Sequence, residues 1–297
     1  MKPLTLIHLL LWLTLVMWGI PSGIVPEYWL IDQAWAQKAK KGRNFAGRNM
    51  SGVDLSKRNL DLADFSGTKL FQAKMVETKL FQVKMVAADL TEANLSWADL
   101  YMSDLTGATL NRATLNGANL ERVTLTGASV RDAQLAETIL VGTNLEKADF
   151  SGSYLKWAQL SGGKMTNVSF ENARLPGARL EMGVAAGGNF KGAQLEGAIM
   201  NKTDLKGANF SGANLKGANL TSADLKGADL TGADLRNAIL TGADLKGANL
   251  AGANLRWANL FNADVAGVIW DKVDLTWAVW INDTVCKDRG CTGFLTK

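Results

Sequence analysis

The hydrophobic residues of this chain recur every five positions, a period that fits neither an α-helix nor a flat β-strand. Every position divisible by five from Phe45 to Trp280 is apolar, and 32 of these 48 central positions (i) hold Leu. Position i−2 is Ala in 29 of the 48 pentads, and position i+2 is Gly in 22 of them. Position i−1 is largely Asp or Asn. The pattern predicts a single short repeat that continues through most of the chain.

A five-residue period predicts a coil. In extended chain, i−2 and i point to the same side, so both residues can face one core. Because five is odd, a straight strand would send the next central residue to the opposite face. The chain must therefore turn once per pentad, and Gly at i+2 supplies the conformational freedom for that turn. Stacked coils then satisfy each other's backbone groups.

These pentads resemble the pentapeptide-repeat family, whose consensus is A(D/N)LXX. The run from Asp204 to Asn259 carries the cleanest units, such as Ala-Asp-Leu-Lys-Gly. The resemblance covers Phe45 to Trp280 and implies an all-β fold, a right-handed quadrilateral β-helix with four pentads per coil. It therefore implies 48/4 = 12 coils and, at about 4.8 Å per coil, a rod roughly 55–60 Å long.

Two stretches depart from the repeat. Arginine occupies the inward i−2 position three times near the start, which predicts an open, frayed first coil: Arg43, Arg48 and Arg58. Small residues replace larger ones further along, which predicts an underfilled axis and a weak waist: Gly183, Ala185 and Gly188.

Residues 1–36 are predicted to be a secretory signal peptide. Lys2 precedes an apolar run from Leu4 to Ile20, and Ala34-Trp35-Ala36 before Gln37 matches the small-x-small cleavage pattern. The alternative is an uncleaved membrane anchor, although the run is short for a span and the basic residues after it favour a cytoplasmic carboxyl side. The remaining predicted segments are a basic linker at 37–44, the β-helix at 45–282 and a C-terminal cap or tail at 283–297.

The composition disfavours catalysis and metal binding. The only histidine, His8, lies inside the predicted signal peptide, so the mature chain has no imidazole base or ligand. Two cysteines cannot form a four-ligand zinc site unaided. Carboxylates at i−1 belong to the repeat and indicate no acid–base chemistry. We therefore expect no enzyme activity, no metal and no cofactor.

The charge distribution disfavours binding that depends on DNA mimicry. The best-described members of the family protect DNA gyrase by imitating the charge of duplex DNA, a role that needs a strongly acidic rod. Without residues 1–36 this chain has 31 basic and 26 acidic residues, a net charge of +5. Residues 37–86 hold 11 basic and 4 acidic side chains (+7), and residues 87–297 hold 20 and 22 (−2). DNA mimicry is thus the disfavoured alternative, and no nucleic-acid partner is expected.

The predicted signal peptide and the local departures from the repeat favour an interaction role outside the cytoplasm. Exported members of the family in cyanobacteria populate the periplasm or the thylakoid lumen. The chain is therefore interpreted as a non-enzymatic, exported scaffold that binds an unidentified protein, and a membrane-anchored structural spacer is the alternative.

The two cysteines, Cys286 and Cys291, follow the last repeat and are predicted to form a disulfide that closes a C-terminal cap, because export places them in an oxidising compartment. Trp270, Trp277 and Trp280 supply apolar bulk nearby. A homodimer through this cap is a further expectation.

Two surfaces are candidates for binding. One is an apolar and basic collar near the N-terminal end, suited to an anionic membrane surface or a partner protein. It combines i+1 apolar residues with i−1 lysines on four successive faces: Phe71, Val76, Phe81, Val86, Lys69, Lys74, Lys79 and Lys84.

The second candidate is a tryptophan-marked face. Four tryptophans at i+2 are separated by 60, 100 and 20 residues, all multiples of the twenty-residue coil, so the family geometry puts them on one corner: Trp97, Trp157, Trp257 and Trp277. Basic residues at i+1 accompany them: Lys156, Lys216, Arg236 and Arg256. Such a face suits anionic or aromatic partners through stacking and cation–π contacts. The opposite face pairs Asp and Lys and is expected to be self-neutralised: Asp204, Asp224, Asp244, Lys206, Lys226 and Lys246. The competing interpretation is that the indoles only pack over the corners.

Overall fold

The structure is a computed structural model that describes residues 43–282, 284–288 and 291. These residues belong to one compact unit, Gly42–Lys297. The predicted signal peptide, its cleavage residues Ala34, Ala36 and Gln37, and most of the predicted linker lie outside the described residues. Within the described ranges, no helix is long and apolar enough to cross a membrane.

The chain forms stacked coils with a register of twenty residues. Each residue at i−1 makes a parallel bridge to the residue twenty positions later, from Asn44↔Asp64 through Asn259↔Val279. These are isolated bridges, each contributing one paired residue between two turns, and in the described ranges no longer strands form. Four pentads therefore make one coil with four faces. We label them by their central residues at twenty-residue intervals: face A (Phe45 to Val265), face B (Met50 to Trp270), face C (Leu55 to Leu275) and face D (Leu60 to Trp280).

Backbone hydrogen bonds between neighbouring coils maintain this register. Phe45 N–H donates to Asp64 O at 2.7 Å, and Asp64 N–H donates to Arg43 O at 2.8 Å. A third bond, from Arg48 N–H to Phe45 O at 3.1 Å, closes the turn between one pentad and the next. The same three types of bond recur along the solenoid, so short faces still satisfy their backbone groups.

The turn requires a left-handed residue at i+2. Every residue at that position from Gly47 to Trp277 has φ between 51° and 73°. Gly adopts this conformation without strain, whereas a side chain adds a cost. Where Gly is absent, the residue is never the β-branched Val, Ile or Thr, which tolerate this region least. The corners therefore explain the glycines of the repeat.

The core contains the central residues and the small residues at i−2. Phenylalanines of four successive coils on face B stack with ring centroids 4.7 to 5.3 Å apart: Phe150, Phe170, Phe190 and Phe210. Ser or Thr replaces Ala at some i−2 positions without an unsatisfied hydroxyl, because the hydroxyl donates to a backbone carbonyl, in most cases one of the preceding coil. The Thr68 hydroxyl donates to Phe45 O at 2.8 Å, and that of Ser103 donates to Leu80 O at 2.7 Å.

The Asp and Asn residues at i−1 cap the turns. Their Oδ1 atoms accept a hydrogen bond from the N–H two residues later, as Asn209 does from Ser211 at 2.9 Å and Asp229 does from Thr231 at 3.0 Å. Side chains of this kind stabilise turns by replacing a backbone acceptor. The repeat's carboxylates are accordingly turn caps along most of the chain.

The prediction of a frayed first coil is wrong. Residues 44 to 60 make the same bridges to the next coil as the later pentads do. Arg43 and Arg58 are half-buried and Arg48 is exposed, so the arginines do not enter the axis. Among the described residues no coil precedes these inward positions, and long basic side chains can extend out of them.

The predicted weak waist is also wrong, because neighbouring side chains fill the space. A Cβ at Gly183 would lie 2.6 Å from Cε of Met165, and a Cβ at Gly188 would lie 2.9 Å from Cε2 of Phe190. Ala185 between them is fully buried. The glycines thus make room for two larger residues, and the axis is continuous here.

The predicted disulfide is present at the C-terminal end. Cys286 and Cys291 are bonded to each other, and both are buried. Val285 makes an antiparallel bridge to Val279, so this segment adds a reversed strand to face D after the last coil. Trp270 and Trp280 pack with ring centroids 5.4 Å apart in the terminal coil.

The filled waist leads to a stability prediction that compares two Gly-to-Ala changes at i−2. Gly188→Ala should lower the free energy of unfolding by about 1–3 kcal/mol, because the new methyl group displaces the Phe190 ring. Gly163→Ala should change it by less than about 1 kcal/mol, because its Cβ meets Leu160 O at 3.1 Å but no side-chain atom closer than 3.6 Å, and Ala restricts the unfolded chain. Urea unfolding measures both. Equal stabilisation by the two changes would show that the waist is underfilled.

Candidate binding face

The four candidate tryptophans lie on one corner. Parallel bridges run from Lys164 to Val184 and from Val184 to Asp204, so the twenty-residue register continues through the Gly183–Gly188 stretch. Trp97, Trp157, Trp257 and Trp277 therefore share the corner between faces C and D. Their side chains are between 48% and 63% exposed, which leaves about half of each indole available to a partner.

Two of these indoles also pack along the corner. The ring of Trp97 lies over Gly117 of the next coil, and the ring of Trp157 lies over Gly177, where Cδ1 would be 2.5 Å from an added Cβ. Because the residue twenty positions later is Gly, each ring has room to lie over the next coil. The indoles are both packed and exposed, so packing and binding are compatible roles.

Face C carries the cation–π contacts found in the described residues. The Lys156 ammonium lies 4.1 Å from the Trp157 ring centroid, and the Arg256 guanidinium lies 4.8 Å from that of Trp257. A third contact joins the Arg174 guanidinium to the Tyr154 ring at 4.9 Å. Tyr154 and Arg174 are bridged neighbours on adjacent coils.

The basic ladder of the same face is partly neutralised. Lys216 pairs with Glu196 at 3.5 Å, and Arg236 forms a bidentate pair with Asp234. The Arg236 guanidinium holds the pKa of the Asp234 carboxyl below its usual value, although partial burial opposes the shift. The Nε atom of Arg256 is buried without a hydrogen-bond partner. Lys216 and Arg236 are therefore less available to an anionic partner than the sequence pattern suggests.

The opposite face is an interlocked charge ladder. Lys206 contacts Asp204 and Asp224, each at 3.2 Å, Lys226 reaches Asp244 at 2.8 Å, and Lys246 reaches Asp264 at 2.7 Å. Burial raises the pKa of Asp224, but hydrogen bonds from the Lys226 backbone and the Lys206 ammonium lower it more, to below its usual value. The part of face A from Asp204 to Asp264 thus pairs its charges across coils.

The collar side chains lie on the surface as a band around the coil. Phe71 is 37% exposed, whereas Val76, Phe81 and Val86 are half-buried. Phe81 stacks on Tyr101 of the next coil, with ring centroids 6.0 Å apart. The four collar lysines are all exposed, and within the described ranges none of them forms an ion pair: Lys69, Lys74, Lys79 and Lys84.

Sequence reasoning missed two features of the surface. Tyr154 and Arg174 occupy i−1 positions where Asp or Asn is usual, and an alignment of the chain in rows of twenty would have shown that they are neighbours. An apolar group at the C-terminal end of face D and its corners was also missed, and its members are 37% to 50% exposed: Ile239, Trp257, Phe261, Trp277 and Val285. Among the described residues, no group of acidic, His or Cys side chains could hold a metal ion.

The contact between Trp97 and Gly117 gives a prediction with a matched control. Gly127→Ala, at a corner with nothing within 4 Å of the new Cβ, should cost about 1–2 kcal/mol through its left-handed backbone alone. Gly117→Ala should cost about 1 kcal/mol more, because the methyl group displaces the indole. Urea unfolding measures the difference, and in a Trp97→Gly background the difference should vanish. Equal costs for the two changes in the Trp97 protein would contradict the packing.

The comparisons with known proteins agree with the repeat pattern. The family described as Pentapeptide repeats matches in eight copies, over residues 49–85, 88–127, 128–167, 189–227 and 228–267. A comparison with curated proteins gives no match.

Among solved structures, the chain is similar to HetL, a pentapeptide repeat protein involved in heterocyst differentiation regulation from the cyanobacterium Nostoc sp. strain PCC 7120. The two are 28% identical over 86% of this chain and 97% of HetL, with a TM-score of 0.34. A pentapeptide repeat protein of the Arabidopsis thaliana thylakoid lumen is 29% identical over 36% of this chain and 68% of its own, with a TM-score of 0.21. The plasmid-mediated fluoroquinolone resistance protein QnrB1 is 20% identical over 56% and 86%, with a TM-score of 0.47.

Proteins with these repeats fold as a right-handed quadrilateral β-helix, and the four faces and twenty-residue coils described above agree with that architecture. The matched segments cover more than half of the sequence. The chain belongs to the pentapeptide repeat family.

Proposed function

We propose that this protein is a non-enzymatic scaffold that binds a protein partner through the tryptophan-marked corner and face C. The observation that carries the proposal is the alignment of four half-exposed indoles on one corner of a continuous solenoid. Tryptophan and arginine are the residues that most often dominate the binding energy of protein interfaces.

The free-energy cost of the backbone conformation at these tryptophans supports a role beyond packing. All four tryptophans have left-handed backbone, with φ between 57° and 64°, a conformation that costs about 1–2 kcal/mol for a residue with a side chain. Glycine is the commonest residue at this position and avoids that cost. Four strained, half-exposed aromatic residues on one corner are therefore expected where a partner gains from them.

We further propose that the protein works in an exported compartment, either the periplasm or the thylakoid lumen. The proposal rests on the N-terminal sequence, with its apolar run and cleavage pattern. The buried disulfide agrees with it, because disulfides persist in oxidising compartments. A membrane-anchored spacer is the alternative that retains residues 1–36.

The binding face can be tested by photocrosslinking in cells of the source organism. A photoreactive phenylalanine analogue replaces Lys216 on face C or, in the matched control, Lys226 on face A. We expect a discrete protein adduct from position 216 that position 226 does not give. Changing all four corner tryptophans to Gly should reduce the adduct at least about tenfold.

A second variant controls for the altered corners. It changes four left-handed residues of the corner after face B to Gly: Gln72, Arg112, Asn172 and Lys272. This variant relieves the same backbone strain and should retain the adduct. Undiminished crosslinking in the variant without the four corner tryptophans would refute the proposed binding face, and equal adducts from positions 216 and 226 would do so too.

The collar is a second candidate surface, for an anionic membrane, because its four exposed lysines form no ion pair in the described ranges. Asp54 and Asp64 are the bridged neighbours of Lys74 and Lys84 on the preceding coil, so acidic residues border the collar on two faces. Juxtaposed basic and apolar side chains favour such a surface. Vesicle flotation should recover more protein with anionic than with neutral lipids, and changing Lys69, Lys74, Lys79 and Lys84 to Glu should abolish the difference. Equal recovery with both lipids would exclude the membrane role.

A further inference from the structure

Two cations on face C, Lys156 and Arg174, are held over aromatic rings and have no acidic partner among the residues that the structure describes. Lys156 stacks on Trp157 and Arg174 stacks on Tyr154. Tyr154 and Arg174 are bridged across adjacent coils, and Lys156 lies two residues after Tyr154 on the same face. The four side chains therefore form one group, which we call the stacked-cation cluster.

Among the described residues these two cations are unpaired, as the collar lysines and Arg256 also are, and so they differ from the ion-paired basic residues on the C-terminal parts of faces A and C. Lys206, Lys226, Lys246, Lys216 and Arg236 are all ion-paired. Within the described part of the chain, neither Lys156 nor Arg174 forms an ion pair. The rings beneath them hold the charges in place without using their N–H donors. A guanidinium or ammonium stacked in this way can still donate to an anion in front of it.

The cluster is suited to a carboxylate. A guanidinium accommodates the two oxygens of a carboxylate in a bidentate arrangement, and a nearby ammonium adds a further charge-assisted hydrogen bond. Because the cations are already positioned, less side-chain freedom is lost on binding. Trp157 remains 54% exposed beside them and offers an apolar surface to a neighbouring aromatic or aliphatic group.

The surrounding charges limit the size of the ligand. Glu137 occupies the same corner as Trp157 one coil earlier, and its backbone N–H donates to Lys156 O. Glu196 occupies position i+1 of face C two coils after Lys156. Glu196 is paired with Lys216, whereas Glu137 forms no ion pair among the described residues, so Glu137 repels an extended polyanion such as a nucleic acid, a sulfated glycan or an anionic bilayer. An isolated carboxylate next to an apolar side chain meets no such repulsion.

We propose that the stacked-cation cluster binds an Asp or Glu side chain that lies next to an aromatic residue in the partner protein. This proposal rests on the proposed function, since it assigns a partner chemistry to the same face. It makes the cluster the polar anchor of the interface, while the corner tryptophans supply its apolar contacts.

The test is a titration of the full chain, 15N-labelled at the Trp indoles, with an acetylated hexapeptide of alternating Glu and Tyr. The indole N–H resonance of Trp157 is assigned by its loss in Trp157→Phe. We expect this resonance to shift saturably, and a hexapeptide of alternating Gln and Tyr should bind at least about tenfold more weakly. Lys156→Gln/Arg174→Gln should weaken the binding of the Glu-Tyr peptide to a similar extent.

Lys206→Gln/Lys226→Gln on face A removes the same charge and is the matched control, with an expected change of less than about twofold. Equal binding of the Gln-Tyr peptide would overturn the proposal, as would tighter binding of dextran sulfate or of phosphatidylglycerol vesicles. Absence of any shift with the Glu-Tyr peptide overturns it as well. Such a failure is distinguishable from failure of the proposed function, because the crosslinking test changes the tryptophans and leaves Lys156 and Arg174 intact.

Discussion

The structure depends on the backbone hydrogen bonds that join each coil to the next with a register of twenty residues. A central residue donates to the carbonyl nineteen positions later, and the residue before it donates back to a carbonyl twenty-one positions earlier. Each coil therefore repeats the path of its neighbour, and the left-handed corners at i+2 are required for closure. Burial of the central residues in a continuous apolar axis stabilises the folded chain. The backbone hydrogen bonds determine the position of each outer side chain.

This register makes the surface a set of columns, so that the neighbours of any outer residue are those twenty positions before and after it. The columns explain why isolated features in the sequence become extended features in space. Asp and Lys at i−1 and i+1 of face A interlock across four coils, and tryptophans 60 and 100 residues apart share a corner. A partner that approaches along the axis would meet a ladder of side chains on a rigid support.

The sequence was sufficient for the repeat, which follows from position within the pentad. The four faces and the corner that bears the tryptophans were predicted from the family resemblance, and the disulfide was predicted from the presence of two cysteines in a chain expected to be exported. The sequence was insufficient where the outcome depends on side-chain direction. The space left by Gly183 and Gly188 is filled by Met165 and Phe190, and pentad arithmetic cannot show that. The same applies to Arg236, which pairs with Asp234 on its own face, and to Arg174, whose ring partner lies on the preceding coil.

The most direct test of the account is whether the register is unbroken between the two pairs of tryptophans. Two variants in a Cys286→Ser/Cys291→Ser background each carry a pair of cysteines at bridged positions. One variant replaces Lys164 and Val184, and the other replaces Val184 and Asp204. Bridged residues are about 4.8 Å apart, a spacing that permits a disulfide. Mass spectrometry after mild oxidation should find both crosslinks and none for the pair 164/189, which lies on different faces. Crosslinking of 164 to 189 in place of 184 would show an extra pentad, which would move Trp257 and Trp277 to another corner and contradict the account.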